Sequence, residues 1–350
     1  MAKAKSEEQS EKPFRTLCPT GKSDAFAVAA SVAQLVRPYE FVQKKFPVTS
    51  FDFMKTHIRG FGEVRLAMLG LMSVLGTLSS VSGADLFSQT GVDLGTAGRT
   101  KQWAVLTLGS GLDGGLNISA PKGANGDEVV GPVGIAGTGS SLVLSGQGNI
   151  LGNAFLNTGN AFSKIGAGGL SGTMFQDSTY NDMLAQAAAD AESAAGQAAS
   201  LPATDSSITN ILGSRGRNLS FTSLGQYVMQ LTDFVMSGGS TLTLNGAAGS
   251  AFVLNISGNF NIGAGSKILL TGGLRASDVL FNITGTSAAL TRQISGDALF
   301  NGTILATKST VTVSGHKTVV NGELVAQRVV VQSGATINNA PVSNPPPVDN

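Results

Sequence analysis

From Trp103 onward the chain is written in short runs that alternate apolar and polar residues and close on glycine: WAVLTLG, SLVLSG, STLTLNG, AFVLNISG, KILLTGG, DVLFNITG, TVTVSG and ELVAQRVVVQSG. A period of two sends every second side chain to the same side of an extended strand. Phe252, Leu254 and Ile256 therefore share an inner face, as do Val279, Phe281 and Ile283, while Asn255, Ser257, Asn282 and Thr284 point outward. Strand centres fall near positions 242, 254, 268 and 281, a short and nearly even spacing, and between 142 and 170 the apolar positions come closer still. Asn245-Gly246, Asn301-Gly302 and Asn321-Gly322 provide tight corners, since both residue types tolerate left-handed backbone. Short sides joined by such corners suit the coils of a β-solenoid; a sandwich or barrel of hairpins is the competing arrangement. On the solenoid reading Phe252, Phe281 and Phe300 lie inside, stacked in neighbouring coils.

Composition narrows the class further. The 46 glycines and 13% charged residues are about twice and about half the usual ~7% and ~25%. With 42% hydrophobic residues the chain is not of the disordered type, and its glycines lack the three-residue period of collagen. Residues 1–65 hold 11 of the 23 Lys and Arg but 7 of the 22 Asp and Glu, leaving residues 66–350 at a net charge of −3. Such a balance offers no basic face to a phosphate backbone and excludes nucleic acid as a partner.

The region before Trp103 reads as an export signal. Leu66–Leu78, LAMLGLMSVLGTL, is a charge-free apolar run preceded by Lys55, Arg59 and Arg65. It is shorter than the ~20 residues of a membrane span, and Ser82-Gly83-Ala84 places small residues at −3 and −1 of a cut before Asp85, as in a secretory signal peptide. Met54 begins a natural leader, so residues 1–53 are read as a non-structural upstream extension, 54–84 as the signal peptide and 85–102 as a linker. A membrane-anchoring helix with a cytoplasmic tail is the alternative. Cys18 lies upstream of the cut, so the mature chain relies on packing and backbone hydrogen bonds rather than disulfides. The solenoid domain is then 103–341, followed by a proline-rich tail over 342–350.

One segment departs from the strand rhythm. DSTYNDMLAQAAADAESAAGQAA, from Asp177 to Ala199, has helical composition, with Asp177 or Ser178 as N-cap and Pro202 just beyond its end. Tyr180, Leu184, Ala187, Ala188, Ala191, Ala195 and Ala198 fall near one face, a stripe small enough to lie close against another surface.

Reactive constellations are sparse. Gly109-Ser-Gly111-Leu-Asp-Gly114 has the spacing of a dinucleotide loop, but the strand-like LNISAP follows where a helix N-terminus is needed. Thr20-Gly21-Lys22-Ser23 mimics the end of a phosphate loop whose first glycine would fall at Thr16. The mature chain carries one histidine, His316, in a turn-like setting, which leaves zinc sites and Ser-His-Asp or Cys-His nucleophiles without parts. Neither cofactor nor metal is expected. Asp127, Glu128, Asp278 and Asp297 are the carboxylates available for glycoside cleavage. The outward rows are richer: Thr241, Thr243 and Asn245 alternate with Leu242 and Leu244, and Thr310, Thr312 and Ser314 with Val311 and Val313. Such positions lie about 7 Å apart along a strand and ~4.7 Å from the next strand. Methyl and hydroxyl groups in such an array can order water or dock on a repetitive surface, although threonine also favours any exposed strand.

DVLFNITG at 278–285, FNGTILATKSTVTV at 300–313 and VNGELVAQ at 320–327, with the alanine-rich helix ahead of them, resemble two related bacterial groups, the ice-binding-like β-solenoid family and the choice-of-anchor A surface domains. The likeness covers roughly 103–340. It implies a mostly β fold: a right-handed solenoid of triangular section, with the helix alongside and coils that need not stack in sequence order. It further implies a secreted or cell-surface, non-catalytic protein that adsorbs to ice or another ordered extracellular surface such as a polysaccharide, meeting the membrane only through its signal segment. Thr241, Thr243, Asn245, Asn255, Ser257, Thr310, Thr312 and Ser314 are the candidate contact residues. An adhesin or matrix domain and a carbohydrate-active β-helix enzyme are the alternatives.

Overall fold

The computed structural model describes residues 103–121, 128–213, 216–263 and 265–339. The upstream extension, the signal segment, the linker, the Thr20–Ser23 motif, Asp127 and the tail lie outside them.

Within this range the chain forms short strands joined by parallel pairings into a solenoid of nine coils with three faces. The first face runs in space from Met174–Phe175 through Ala154–Leu156, Val133–Ile135 and Val105–Thr107, then through the opening residues of Leu324–Gln332 and Thr303–Ser314, to Val279–Ile283, Ala251–Ile256 and Gln226–Leu231. The second runs from Ala161–Gly166 to Asn210–Gly213, and the third from Gly169–Leu170 to Arg217–Phe221. Two long strands, Thr303–Ser314 and Leu324–Gln332, turn the corner between the first and second faces and belong to both.

The coils are not stacked in chain order. From Val105 the chain climbs three coils to Phe175 at one end. Helix α1, Ser178–Ser200, then returns along the first face, and the remaining coils climb from Asn210 until Leu324–Gln332 pairs with both Val105–Thr107 and Gly115–Ala120. The 23 residues of α1 span about 34 Å, close to the ~38 Å of eight inter-strand steps. Its length is what lets the two halves close into one stack.

Inside, the alternation is as read from the sequence: Phe252, Phe281 and Phe300 are fully buried. Phe281 and Phe300 meet at 4.7 Å between ring centres, with Phe260 about 6.1 Å from each. Phe252 instead joins Phe221 and Tyr227 in the end coil. The G-x-G-x-x-G segment is a corner packed against itself and its neighbour. A Cβ on Gly114 would stand 1.7 Å from the Gly109 carbonyl oxygen, and a 3-10 turn leads directly into Gly115–Ala120. No dinucleotide-binding helix follows.

The helix face explains several outward polar residues. Leu184, Ala187, Ala191, Ala194 and Ala198 are buried against Val228, Val253, Leu280, Leu305, Val325 and Leu106. Asp177 caps the helix, accepting from the Thr179 N–H at 2.8 Å, and Trp103, Phe155, Phe175 and Tyr180 cluster near that end. At the other end, Gln230, Asn255 and Asn282 stand in register on adjacent coils. Their side-chain amides donate to the carbonyls of Leu201, Ala198 and Ala195 at 2.8, 2.7 and 3.1 Å, and Asn282 also donates to Asn255 Oδ1 at 2.7 Å. The Ala198 carbonyl lies in the last turn, where carbonyls lack their i+4 partners, and also accepts from the Leu201 N–H at 3.3 Å, whereas the Ala195 carbonyl lies further inside the helix. Among the described residues no helix is long and apolar enough to cross a membrane.

Candidate surface-binding site

With α1 on the first face, the other two sheet faces carry no covering element among the described residues. The eight candidate residues divide among all three. Thr241, Thr243 and Asn245 are on the third face; Thr310, Thr312 and Ser314 are on the second. Asn255 belongs to the first face and is buried under the helix, so its expected place on a contact surface is corrected: it leaves the coil outward but serves α1. Ser257 is exposed at the corner after the same strand, where its hydroxyl donates to the Leu231 carbonyl at 3.3 Å. The two threonine groups therefore cannot meet one flat surface together.

The faces differ in width and charge. On the second, Thr312 sits in a row that crosses all nine coils: Leu212, Val235, Asn261 and Gln293 on one side, and Val330, Asn117, Val143 and Ser163 on the other. The row contains no ionisable side chain. Beside it, Ser314 continues through Gln332, Ser119, Ser145 and Ile165, and on its other side through Ser295. The third row carries Thr310 next to Arg328. The bulge in Thr303–Ser314 falls between Ala306 and Thr310, at the corner, so the rows on the face stay in register.

The third face is narrower. Most of its strands have three residues or fewer, and the row through Thr241 includes Lys267 and Glu128. Asn245 donates to Ser220 at 3.0 Å, and Asn321 donates to Asn301 at 2.9 Å, ties within the sheet. Asn117, Asn261, Ser119 and Ser145 were missed by the sequence reading. Their strands lie two or three places from Thr310–Ser314 on this face, brought there by a coil order that no local spacing reports.

The carboxylates do not assemble. Asp278 is buried, ion-paired with Arg275 at 3.1 Å and closing a 3-10 turn with the Arg275 N–H. Asp297 lies in a left-handed turn position at φ 64°, and Glu128 is on the third face several coils away. Among the described residues, no three of His, Cys, Asp and Glu are grouped as metal ligands. His316 is exposed in the turn that follows Ser314.

A parallel β-solenoid with a helix closing one face and two open sheet faces is the class that fold and site define. Residues 122–338, more than half of the chain, match the family model described as ice-binding-like, and the chain belongs to that family. An ice-binding protein of a Colwellia species is 34% identical over 97 residues, 28% of this chain; the match spans little more than a third of that relative, 36% of its length. The crystal structure of an ice-binding protein from an Arctic yeast aligns at 21% identity and a TM-score of 0.48, covering 74% of this chain and 98% of the other. The Shewanella frigidimarina ice-binding protein domain aligns at 16% and 0.42, covering 69% and 95%.

Proposed function

We propose that the chain is an exported ice-binding protein that adsorbs through its second face, with Thr310, Thr312 and Ser314 at the centre of the contact. The observation that carries this reading is the row through Thr312, uncharged and in register over nine coils. Charged groups hold water in their own hydration shells, whereas methyl and hydroxyl groups on a rigid sheet leave it free to adopt the order of a neighbouring crystal. The repeat of ~4.7 Å across strands and about 7 Å along them presents such groups as a lattice rather than as single contacts. Val235, Val330 and Val143 interleaved with Asn261, Asn117 and Thr312 give that mixture. Membership of the ice-binding-like family and the name of the Colwellia relative support ice as the partner. Thr241, Thr243 and Asn245, on the narrower and partly charged third face, are assigned to ordinary strand exterior, and Ser257 to its corner.

This function places the protein outside the cytoplasm, in keeping with the signal-like segment 54–84, and requires no catalytic step. Thermal hysteresis and ice-crystal shaping by the purified chain test it. Measurable hysteresis with faceted crystals is the expected result; growth indistinguishable from buffer would contradict ice binding.

A further inference from the structure

At the corner between the first and second faces, four coils turn within one to three residues, as at Gln327 or Ser257–Asn259, and three others within four to seven. After Val279–Ile283 the chain makes the longest of these turns, an eight-residue excursion, 284–291, before Arg292–Ser295. The excursion stands beside the bulged corner Thr307–Ser309 of the next coil and borders a half-open cavity of about 340 Å³ that extends to Thr310 and Thr312.

Arg292 anchors it. The residue is only 8% exposed, and its guanidinium donates to the carbonyls of Gly285, Ser287 and Leu290 at 2.7, 3.0 and 3.3 Å. Among the described residues its Nε has no hydrogen-bond partner, and no carboxylate is paired with it. Lys308 also lines the cavity, which no aspartate or glutamate joins. Thr286 and Gln293 add neutral polar groups, and Ala288 and Leu290 an apolar wall. A buried cation is ordinarily matched by an anion; here backbone carbonyls hold the guanidinium and no carboxylate of the described residues neutralises its charge.

We propose that this cavity binds a carboxylate-bearing sugar unit of an acidic extracellular polysaccharide. The carboxylate lies toward Arg292 and Lys308, where charge-assisted hydrogen bonds are stronger than neutral ones. Sugar hydroxyls meet the threonine and glutamine groups, and the C–H face of the ring lies on Leu290 and Ala288. The volume falls in the range of small-molecule sites, so an inorganic anion would leave most of it empty. The site borders the Thr312 row, shares Gln293 and Thr312 with it and also includes Thr310, but uronate binding does not depend on ice being the partner there: uronate binding without thermal hysteresis would leave this proposal standing and the ice reading not.

The test is titration of the full chain with D-glucuronate and a short oligo-uronate, followed by calorimetry and by backbone NMR shifts. Glucose and acetate are the control probes. Both uronates should bind with shifts confined to 284–293 and 307–312, and each control should bind about tenfold more weakly or worse. Lys308→Gln, on an exposed side chain, should keep the circular dichroism of the parent and weaken uronate binding about tenfold. Arg292→Lys keeps the charge but loses the carbonyl clamp, and should abolish binding while leaving the remaining NMR spectrum in place. Acetate as tight as glucuronate would reduce the site to a simple anion site. Equal binding of glucose, binding of the monomer without the oligomer, or an unaffected Lys308→Gln would each overturn the proposal.

Discussion

At the scale of single residues, the inward row and the orphaned polar groups make the sharpest predictions. Phe281 contacts Phe234, Phe260 and Phe300 in a fully buried stack, so Phe281→Ala should destabilise by about 3–5 kcal/mol through lost burial plus a cavity. A urea-melt difference below ~1 kcal/mol would mean that the stack collapses to fill the space. Glu323 is different in kind. Its Oε1 is buried without a partner, and burial pushes the carboxyl up from an ordinary value near 4.5 to about 8, against the lowering effect of a hydrogen bond with the Trp103 backbone. An acid whose pKa is higher in the folded state binds more protons folded than unfolded, so its contribution is fully present below the unfolded value. That contribution is lost as pH rises toward 8. Glu323→Gln should therefore gain stability relative to the parent between about pH 5 and pH 8, and parallel pH profiles for the two proteins would contradict this. The core phenylalanines were legible because alternation is local. Glu323 was not: its carboxyl is met by the backbone of Trp103, at the opposite end of the described chain.

At the scale of elements, the helix was visible in its alanine content and its Asp177 cap, and its buried face departs from the reading chiefly by adding Ala194. What it covers was not visible. Asn255 and Asn282 sit in strand positions that alternate outward, and outward ordinarily means solvent; here α1 lies over them and takes their amides. Asn255→Ala would leave the Ala198 carbonyl with the Leu201 N–H alone and the Asn282 amide with one acceptor fewer, a cost of about 1–3 kcal/mol for the two hydrogen bonds lost. The expected sign is a lower urea midpoint with faster amide exchange over residues 195–201. Unchanged exchange there would show that the helix end is held by apolar packing alone. The strands show a related limit. The even spacing of strand centres at 242, 254, 268 and 281 reported two sides of each coil, the third and first faces in turn. A full coil is longer, running from Leu254 to its partner Phe281, or from Ile304 to Leu324. Two second-face strands, Phe260–Ile262 and Asp233–Met236, are brief and begin at or just after an Asn or Asp, and the sequence pattern passes over them.

At the scale of the whole molecule, function depends on the order in which the coils stack. A chain that wound steadily from one end to the other would place Val105–Thr107 at an edge. Instead α1 carries the chain back along the stack, and the last coils fill the space beside the first. That closure puts Thr310–Ser314 near the middle of the second face, with Gly115–Ala120 and Ser141–Gly146 continuing the surface on one side and Arg292–Ser295 and Phe260–Ile262 on the other. It also separates Thr310 and Thr312 from Thr241 and Thr243, which lie across the core on a different face. The central claim is that adsorption belongs to the second face alone, and a matched pair of variants tests it most directly. Thr312→Tyr and Thr243→Tyr each place a bulky ring on an open sheet without touching the core, and each should change stability by no more than ~0.5 kcal/mol. Measured side by side with the parent, thermal hysteresis should collapse in Thr312→Tyr and persist in Thr243→Tyr; full activity in Thr312→Tyr, or loss in Thr243→Tyr alone, would contradict it.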